Sequence, residues 1–492
     1  MTAAPERRWQ ALTLGLLLVG AAMAFLRPTD VDEAWLLTMG EKMLDGQRPY
    51  IDILETNPPM SILLYLPAIV LGRLIGVAPE ILVILFVIAG IGASLWLSGR
   101  ILGAAGVAQD TLWKLAAAGA FVFAVLPTGV FGQREHIAVI ALAPFMALMI
   151  ARAESARPHW ILAALAGLGC GAAAAIKPHF ALPAALAFAF SVWRQKSARP
   201  FFQPEVFAAA FAVALYAAIV LLIFPDFLRF LPLVSESYLP VRKSFATLLS
   251  NPPIPLAVVL SGLAIFTLRA RRAPAGPVAI FLAAAFGGAA IYFIQGKAWP
   301  YQSYALIAFG ALALAAAAIQ GSAALEKKRL ALIGACAALP LLAAMNWFTL
   351  KGDYHALNAR VEAITPKPKL LSITADIAVG HPLVREIGGT WVGSVCSQWA
   401  AAGVITQLRT EADPARRARL ETLMQGDRDR LVADIDKGRP DIILIETSFD
   451  WIAWAKADPA LAAALAAYEP IETVTGIAIW ARKDRARAVA QL

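Results

Sequence analysis

The sequence predicts a polytopic α-helical membrane protein with a small α/β domain at its C-terminus. First, 59% of the 492 residues are hydrophobic, only 16% are charged, and the mean hydropathy is +0.66, far above the range of soluble globular proteins. Second, apolar runs of about 17 to 21 residues, long enough to cross a hydrocarbon core, recur between residues 9 and 348 and then stop. We therefore predict a transmembrane module over residues 1–350 and a soluble domain over residues 351–492.

Charge and cysteine content exclude several classes of protein. The net charge of +9 would fit a nucleic-acid partner, but Arg and Lys fall mostly in short loops between apolar runs, as membrane topology requires. We predict contact with membrane lipid and no nucleic-acid partner. Cys170, Cys336 and Cys396 are widely separated, so neither a disulfide framework nor a zinc spacing exists.

The apolar runs predict the spans of the membrane module. Read literally, there are twelve, at about 9–26, 60–76, 79–98, 112–128, 136–151, 160–176, 179–193, 205–224, 253–269, 276–294, 301–319 and 329–348. The first run follows Arg7 and Arg8 without a small-residue cleavage site, so we expect it to be retained as a helix.

Basic loops show that one of these runs does not cross. The later basic loops are 152–157, 194–199, 269–272 and 327–329. They and the basic N-terminus should all be cytoplasmic, which twelve crossings cannot satisfy. The run 60–76 opens with Pro58 and Pro59 and is tightly joined to the next, so we assign it to the outer interface. About eleven transmembrane helices plus juxtamembrane helices remain, with a cytoplasmic N-terminus and a periplasmic C-terminal domain.

This topology places most unusual polar residues on the outer side, where ionisable groups at membrane depth mark candidate functional sites. The first outer loop, about residues 27–78, contains Asp32 and Glu33 at the start of an amphipathic surface helix. Two interpretations remain open for this pair: a helix cap, or a general base that deprotonates an acceptor hydroxyl. The same loop contains Glu55 before the double proline Pro58-Pro59.

Later outer turns contain basic residues. Arg134, Glu135 and His136 begin one span, and either form a structural ion pair or bind a phosphate. Lys177 and His179 follow at the next outer turn, where the alternative is a lysine that extends to the membrane surface. Further candidates are Arg242 and Lys243, in a loop over residues 225–253, and Lys297, in a turn whose Trp299 and Tyr301 are also typical interfacial anchors.

These motifs together resemble the GT-C glycosyltransferases. The resemblance is to bacterial protein O-mannosyltransferases, lipid A aminoarabinose transferases and lipopolysaccharide galacturonosyltransferases. The catalytic Asp of the family's Asp-Glu pair corresponds to Asp32, followed by Glu33. The segment Glu55 to Pro59 is similar to the family's Glu-Lys-Pro-Pro element, with one inserted residue and Asn57 where Lys is frequent. The resemblance covers roughly residues 1–350 and is dense only in the first 80.

The resemblance implies a GT-C-like fold and an inverting glycosyltransferase. Its donor would be a polyprenyl-phosphate sugar, and its acceptor an envelope glycan, lipid or protein on the periplasmic face of a bacterial inner membrane. Asp32 would take the acceptor proton, with Glu33 beside it. Candidates to bind the donor phosphate or substrate are Glu55, Arg134, Glu135, His136, Lys177, His179, Arg242, Lys243 and Lys297. No cofactor is expected; the first-loop carboxylates could hold a divalent metal, but family relatives with lipid-monophosphate donors often do not require one.

Other classes would also be polytopic. A transporter or flippase of lipid-linked envelope glycans usually has internal repeats and midplane charges in broken helices, and the sequence shows neither. A non-catalytic assembly protein of the envelope is a third alternative.

The soluble domain alternates predicted strands and helices, which favours a small α/β layer structure. The strand-like runs are 370–374, 391–395, 441–446 and 471–480, and the helical stretches lie near 414–437 and 449–468. No glycine-rich nucleotide loop or Ser-His-Asp signature is present, so we expect a packing or acceptor-handling domain.

Overall fold

The structure, a computed structural model, describes residues 3–321, 327–349 and 354–485. The chain divides into two compact units, each built from several stretches of sequence. Unit 1 comprises Met1–Pro28, Val70–Ile219 and Lys243–Leu350, and unit 2 comprises Thr29–Ile69, Val220–Arg242 and Lys351–Leu492. Unit 2 therefore contains most of the loop that follows the first apolar helix, in addition to the C-terminal domain. The predicted domain boundary falls in 350–353, outside the described residues.

Eight helices of the described residues are long and apolar enough to cross a membrane. They are Glu6–Leu26, Pro79–Ala104, Arg134–Ala153, Pro204–Ile223, Pro253–Arg271, Ala275–Gln295, Pro300–Gln320 and Ala331–Phe348. Several begin with proline, whose fixed φ and missing N–H suit the first helical position. The prediction of a multi-pass α-helical membrane protein is confirmed.

Three further predicted spans form shorter helices. Gln109–Ala120 continues into a π-helical turn at Phe121–Val125, Trp160–Ile176 has 17 residues and Ala181–Gln195 has 15. An untilted crossing needs about 20 residues, so the count of about eleven transmembrane helices stays a prediction.

The run 60–76 is interrupted at residues 64 and 65. It forms Met60–Leu63 and Leu66–Ile75, of 4 and 10 residues. At about 1.5 Å per residue, neither piece could cross a core about 30 Å thick. This geometry is compatible with the predicted interfacial assignment, while the sidedness of the membrane stays a prediction.

Small residues let the helices of unit 1 pack so closely that their backbones are in contact. A Cβ atom on Gly288 would lie 2.5 Å from the backbone nitrogen of Leu306, in the helix Tyr304–Gln320. On Gly287 it would lie 2.6 Å from the backbone of Pro183. Such close approach is the usual role of small residues between membrane helices. It fixes the helix Ala275–Gln295, whose last residue contacts Lys177.

Unit 2 is built on a five-stranded sheet. The strands are β1 Lys369–Ile373, β2 Thr390–Trp391, β3 Ile442–Glu446, β4 Tyr468–Val474 and β5 Ile477–Arg482. The order is β2-β1-β3-β5-β4; β1 is parallel to β2 and β3, and β5 is antiparallel to β3 and β4. This is the small sheet with helices that the sequence predicts.

Helices of unit 2 connect the strands and form the first-loop segment. They are Val31–Leu44, Met60–Leu63, Pro225–Leu233, His355–Ile364, Leu383–Glu386, Trp399–Leu408, Pro414–Gly438, Trp451–Lys456 and Pro459–Leu465. Buried apolar residues of β1, β3 and Pro414–Gly438, among them Ile373, Ile445 and Leu431, form the core of the domain.

Two predicted strands are wrong in detail. The run 471–480 is part of the hairpin β4–β5, which turns at Thr475 and Gly476 with φ of 49° and 79°. Positive φ at both positions is what a tight hairpin turn requires. In the run 391–395, β2 ends at Trp391 and the backbone N–H of Val392 still donates to the carbonyl of Leu370 in β1 at 3.0 Å. The backbone N–H of Ser394 donates instead to the carboxylate of Asp434, 2.8 Å away.

Candidate active site

The first-loop helix, Val31–Leu44, begins with three carboxylates. Asp30 is the N-cap: its Oδ1 accepts hydrogen bonds from the backbone nitrogens of Asp32 at 2.9 Å and Glu33 at 3.2 Å. A helix end needs only one such cap, so neither Asp32 nor Glu33 is required in that role. Asp32 is half-buried in the first turn and Glu33 is buried. The cap of this helix is therefore Asp30, so the helix-cap interpretation does not apply to Asp32 and Glu33.

Glu55 is a buried carboxylate held by N–H donors. The indole Nε1 of Trp35 donates to Oε2 at 2.7 Å, and the backbone nitrogen of Asn57 donates to Oε1 at 2.9 Å. The side-chain amide of Asn57 donates to the same oxygen. Hydrogen bonds to an ionised carboxylate are among the stronger ones. Because a carboxylate repels a phosphate, we assign Glu55 to positioning or to a sugar hydroxyl and not to the donor phosphate.

A loop of the soluble domain, residues 392–398, lies beside these carboxylates. The backbone nitrogen of Leu54 donates to the carbonyl of Ser394 at 2.8 Å. Burial, followed by the charges of Glu55 and Asp32, raises the pKa of the Cys396 thiol, so this thiol lies within electrostatic reach of both carboxylates. The acids of the first loop and the C-terminal domain therefore meet within unit 2.

In unit 1, the helix Arg134–Ala153 begins with three buried site candidates, Arg134, Glu135 and His136. The Nδ1 atom of His136 accepts from the backbone N–H of Gly132 at 3.0 Å, so Nε2 carries the proton and donates to the carbonyl of Phe123 at 2.7 Å. Both ring nitrogens are thus occupied by backbone groups. We therefore assign His136 to fixing the start of this helix and not to binding phosphate.

Glu135 forms an ion pair with Lys177. The Glu135 side chain is 1% exposed and the Lys177 side chain 8%. The Nζ atom of Lys177 also donates to Oε1 of Gln295 at 3.4 Å and lies 5.4 Å from the ring centroid of Tyr301. This ammonium is therefore held inside the protein by its contacts with Glu135 and Gln295. Tyr301, too, is buried against Lys177 instead of acting only as an interfacial anchor.

His179 and Lys297 complete the polar groups at these turns of unit 1. His179 is half-buried, and in the part of the chain that the structure describes its Nε2 has no hydrogen-bond partner. Lys297 is half-buried. The backbone nitrogen of Lys243, an exposed residue, donates to the carbonyl of Gly296 at 2.8 Å, which joins these two predicted segments. Arg242 is exposed and belongs to unit 2.

The chemistry of these groups divides into two kinds. Unit 2 offers a half-buried carboxylate able to accept a proton, and unit 1 offers cationic and imidazole donors able to bind an anion. Over the described residues, no group of three or more His, Cys, Asp or Glu side chains is arranged to hold a metal ion.

Sequence reasoning missed the residues of the soluble domain that touch the first-loop helix. Arg385 forms an ion pair with Glu41, and the ring of His381 lies 5.2 Å from that of Trp35. Lys42 donates to the carbonyl of Gly393 at 2.9 Å. No local pattern marks these partners, because they are more than 340 residues apart in the chain.

The chain thus combines a multi-pass helical module with an acidic first loop that folds together with a C-terminal α/β domain. The structure is similar to that of ArnT from Cupriavidus metallidurans, determined with bound undecaprenyl phosphate: 14% identity, a TM-score of 0.56, and 98% of each chain covered. The chain therefore has the GT-C fold, as the resemblance predicts.

Two larger solved structures are also similar over most of this chain. The arabinofuranosyltransferase AftD from mycobacteria is 13% identical with a TM-score of 0.46, and the match covers 97% of this chain and 40% of AftD. The oligosaccharyltransferase from Archaeoglobus fulgidus, solved with a tethered acceptor peptide, is 13% identical with a TM-score of 0.44, and the match covers 96% and 74% of the two chains. No family model matches the sequence, and no curated protein matches it.

Proposed function

We propose that this protein is an inverting glycosyltransferase that transfers a sugar from a polyprenyl-phosphate donor to an envelope glycan, lipid or protein. The observation that carries the proposal is the start of the first-loop helix. Asp30 caps the helix, so the half-buried Asp32 is not needed as a cap and is our candidate general base. The GT-C fold supports this assignment, and the ArnT structure with undecaprenyl phosphate supports a lipid-phosphate donor.

In the proposed reaction, the carboxylate of Asp32 takes the proton of the acceptor hydroxyl as its oxygen attacks the anomeric carbon of the sugar. The new bond forms on the face opposite the lipid phosphate, so the configuration inverts. The bond between the anomeric carbon and the phosphate oxygen breaks, and polyprenyl phosphate leaves with the bonding electron pair. Glu33, which is buried beside Asp32, orients or tunes the base.

The leaving phosphate gains negative charge in the transition state, and preorganised cations stabilise such charge. Lys177 and Lys297 are the cations we favour, with Arg134 as a further buried cation of the same unit, and His179 is a candidate hydrogen-bond donor to the phosphate. Because Lys177 forms an ion pair with Glu135, we propose that the two side chains act together. Glu135 keeps the ammonium oriented, and Lys177 contacts the phosphate. Arg242 and Lys243, both exposed, are secondary candidates.

We further propose that the protein lies in the bacterial inner membrane with its C-terminal domain in the periplasm. The apolar helices support a multi-pass protein, and the basic loops support this orientation. Alkaline-phosphatase fusions near residues 77 and 354 test it. Both fusions should be active, and a silent fusion at either site contradicts the topology.

The proposed activity is tested with purified protein, radiolabelled polyprenyl-phosphate sugars and isolated envelope acceptors. The parental protein should transfer sugar, also in the presence of a chelator, and Asp32→Asn should reduce turnover by about two to four orders of magnitude. Reconstituted vesicles containing labelled lipid-linked glycan supply a second readout. Translocation of intact lipid-linked glycan without transfer would identify a flippase and contradict the proposal.

A further inference from the structure

The first-loop helix presents one stripe of its surface to the soluble domain. Trp35, Thr38 and Glu41 are spaced at three residues and Lys42 follows at the next position, so all four lie along one side of the helix. Asp32 precedes Trp35 by three residues but lies about two and a half turns before Glu41, and therefore on the opposite side of the helix from Glu41. Each of the four positions in this stripe contacts the soluble domain.

Arg385 makes the strongest of these contacts. It extends from the short helix Leu383–Glu386, and its two terminal nitrogens reach the two carboxylate oxygens of Glu41 at 2.7 and 3.0 Å. One nitrogen also donates to the hydroxyl of Thr38 at 3.3 Å. The Arg385 side chain is 12% exposed and the Glu41 side chain 32%, so this bidentate pair is partly withdrawn from water. Planar, two-point contacts of this kind fix orientation as well as distance.

Other contacts hold the same helix and the strand-like segment after it. Lys42 donates to the carbonyl of Gly393, Leu54 donates to the carbonyl of Ser394, and His381 packs edge-on against Trp35. Trp35 in turn donates to Glu55. The soluble domain therefore contacts both segments that carry the first-loop carboxylates.

We propose that Arg385 is a positioning residue: by clamping Glu41 and Thr38, it fixes the first-loop helix and thereby the place of Asp32. This inference rests on the proposed function in so far as Asp32 is the base. Asp32 and Glu41 are nine residues apart on the helix, a distance of about 13.5 Å at 1.5 Å per residue. A tilt of about 5° around Glu41 would move Asp32 by about 1 Å, a displacement that can cost roughly 100-fold in rate.

The position of the helix and the rate of transfer are measured together on the full-length protein. Arg385→Ala and Glu41→Gln should each lower kcat about 10- to 100-fold and leave the KM for the lipid donor unchanged within about twofold. Amide hydrogen exchange over residues 31–44 should become faster in both variants. Glu41→Gln keeps the size of the side chain. If Arg385→Ala does not fold, Glu41→Gln still tests the proposal.

A double variant and a matched control make the test specific. Arg385→Ala combined with Glu41→Gln should be no slower than the slower single variant, because both changes break the same clamp. Arg360→Ala removes another ion pair of the soluble domain, with Glu472, that joins His355–Ile364 to β4 and not to the first-loop helix. It should leave kcat and the exchange of residues 31–44 at parental values.

The outcomes separate this inference from the proposed function. Parental kcat and parental exchange in Arg385→Ala and Glu41→Gln would overturn the positioning role. A raised donor KM with unchanged kcat would overturn it as well, since that pattern describes donor binding. If the parental protein transfers no sugar, the proposed function fails, and hydrogen exchange alone decides whether Arg385 fixes the helix. Faster exchange of residues 31–44 in Arg385→Ala but not in Arg360→Ala supports this role. Equal exchange of these residues in the two variants overturns it.

Discussion

The indole nitrogen of Trp35 donates a 2.7 Å hydrogen bond to the buried carboxylate of Glu55, 20 residues further along the chain. This contact ties the first-loop helix to the segment before the double proline. Within unit 2 it makes the two acidic parts of the loop a single structural element.

Trp35→Phe removes the N–H donor and also part of the buried ring, a loss of packing that the control Trp391→Phe shares. Because the acceptor is a carboxylate, we expect the free energy of unfolding to fall by about 1.5 to 3 kcal/mol. The matched control is Trp391→Phe, whose indole donates to the neutral carbonyl of Val395 at 3.1 Å and should cost about 0.5 to 1.5 kcal/mol. Chemical unfolding in detergent micelles measures both, and equal losses would contradict a stronger hydrogen bond between Trp35 and Glu55.

Asp30 and Asp32 should separate stability from catalysis. Asp30→Ala removes the cap of the first-loop helix and should lower the free energy of unfolding by about 0.5 to 2 kcal/mol. Asp32→Asn should leave the thermal unfolding temperature close to the parental value while transfer is lost. If Asp32→Asn instead lowers stability strongly and transfer falls only in proportion to the amount of folded protein, the role of Asp32 is structural and the prediction is contradicted.

Lys177→Ala should leave Glu135 as a buried carboxylate without its ion-pair partner, at a cost of about 3 to 5 kcal/mol in the free energy of unfolding. The double variant Lys177→Met with Glu135→Gln removes both charges and should regain most of that stability. If Lys177 contacts the donor phosphate, the double variant should still bind undecaprenyl phosphate about 10- to 100-fold more weakly.

Binding of the lipid phosphate by Lys177 is checked against Lys196→Ala. Lys196 is an exposed lysine at the end of the helix Ala181–Gln195, on the predicted cytoplasmic side. Its removal should leave lipid-phosphate affinity unchanged. Parental affinity in the Lys177 and Glu135 double variant would show that the pair is purely structural.

His381 should make unit 2 sensitive to acid. Burial, followed by the charges of Arg385 and Lys42, lowers the pKa of His381 from 6.5 to about 3. Between these values the unfolded chain binds a proton that the folded chain does not. Stability therefore falls as the pH is lowered from about 6.5 towards 3, by about 1.4 kcal/mol per pH unit.

His381→Phe should keep the ring contacts with Trp35 and Trp391 and remove this part of the acid sensitivity. Unfolding temperatures at pH 7.5, 6, 5 and 4 measure the effect, and His355→Phe, at an exposed position, is the control. An unchanged pH dependence in His381→Phe would place the titrating group elsewhere.

The sequence by itself determined the class of protein and its parts. Apolar length and the distribution of basic residues are local properties, and they sufficed to predict a multi-pass membrane module and a small α/β domain. The assignment of the run 60–76 to the outer interface stays a prediction. The acidic pair Asp32 and Glu33 could also be identified from the sequence, because it closely follows an apolar run and this position is readable without any knowledge of the fold.

Only the tertiary structure decided what these polar residues contact. Asp30 rather than Asp32 is the cap, which depends on backbone geometry that composition does not encode. The partners of Glu135 and Glu41 are 42 and 344 residues away in the chain. A buried charge needs a partner, but its sequence neighbours do not say which, since folding brings distant segments together mainly through non-directional apolar burial and then selects the pairs that fit.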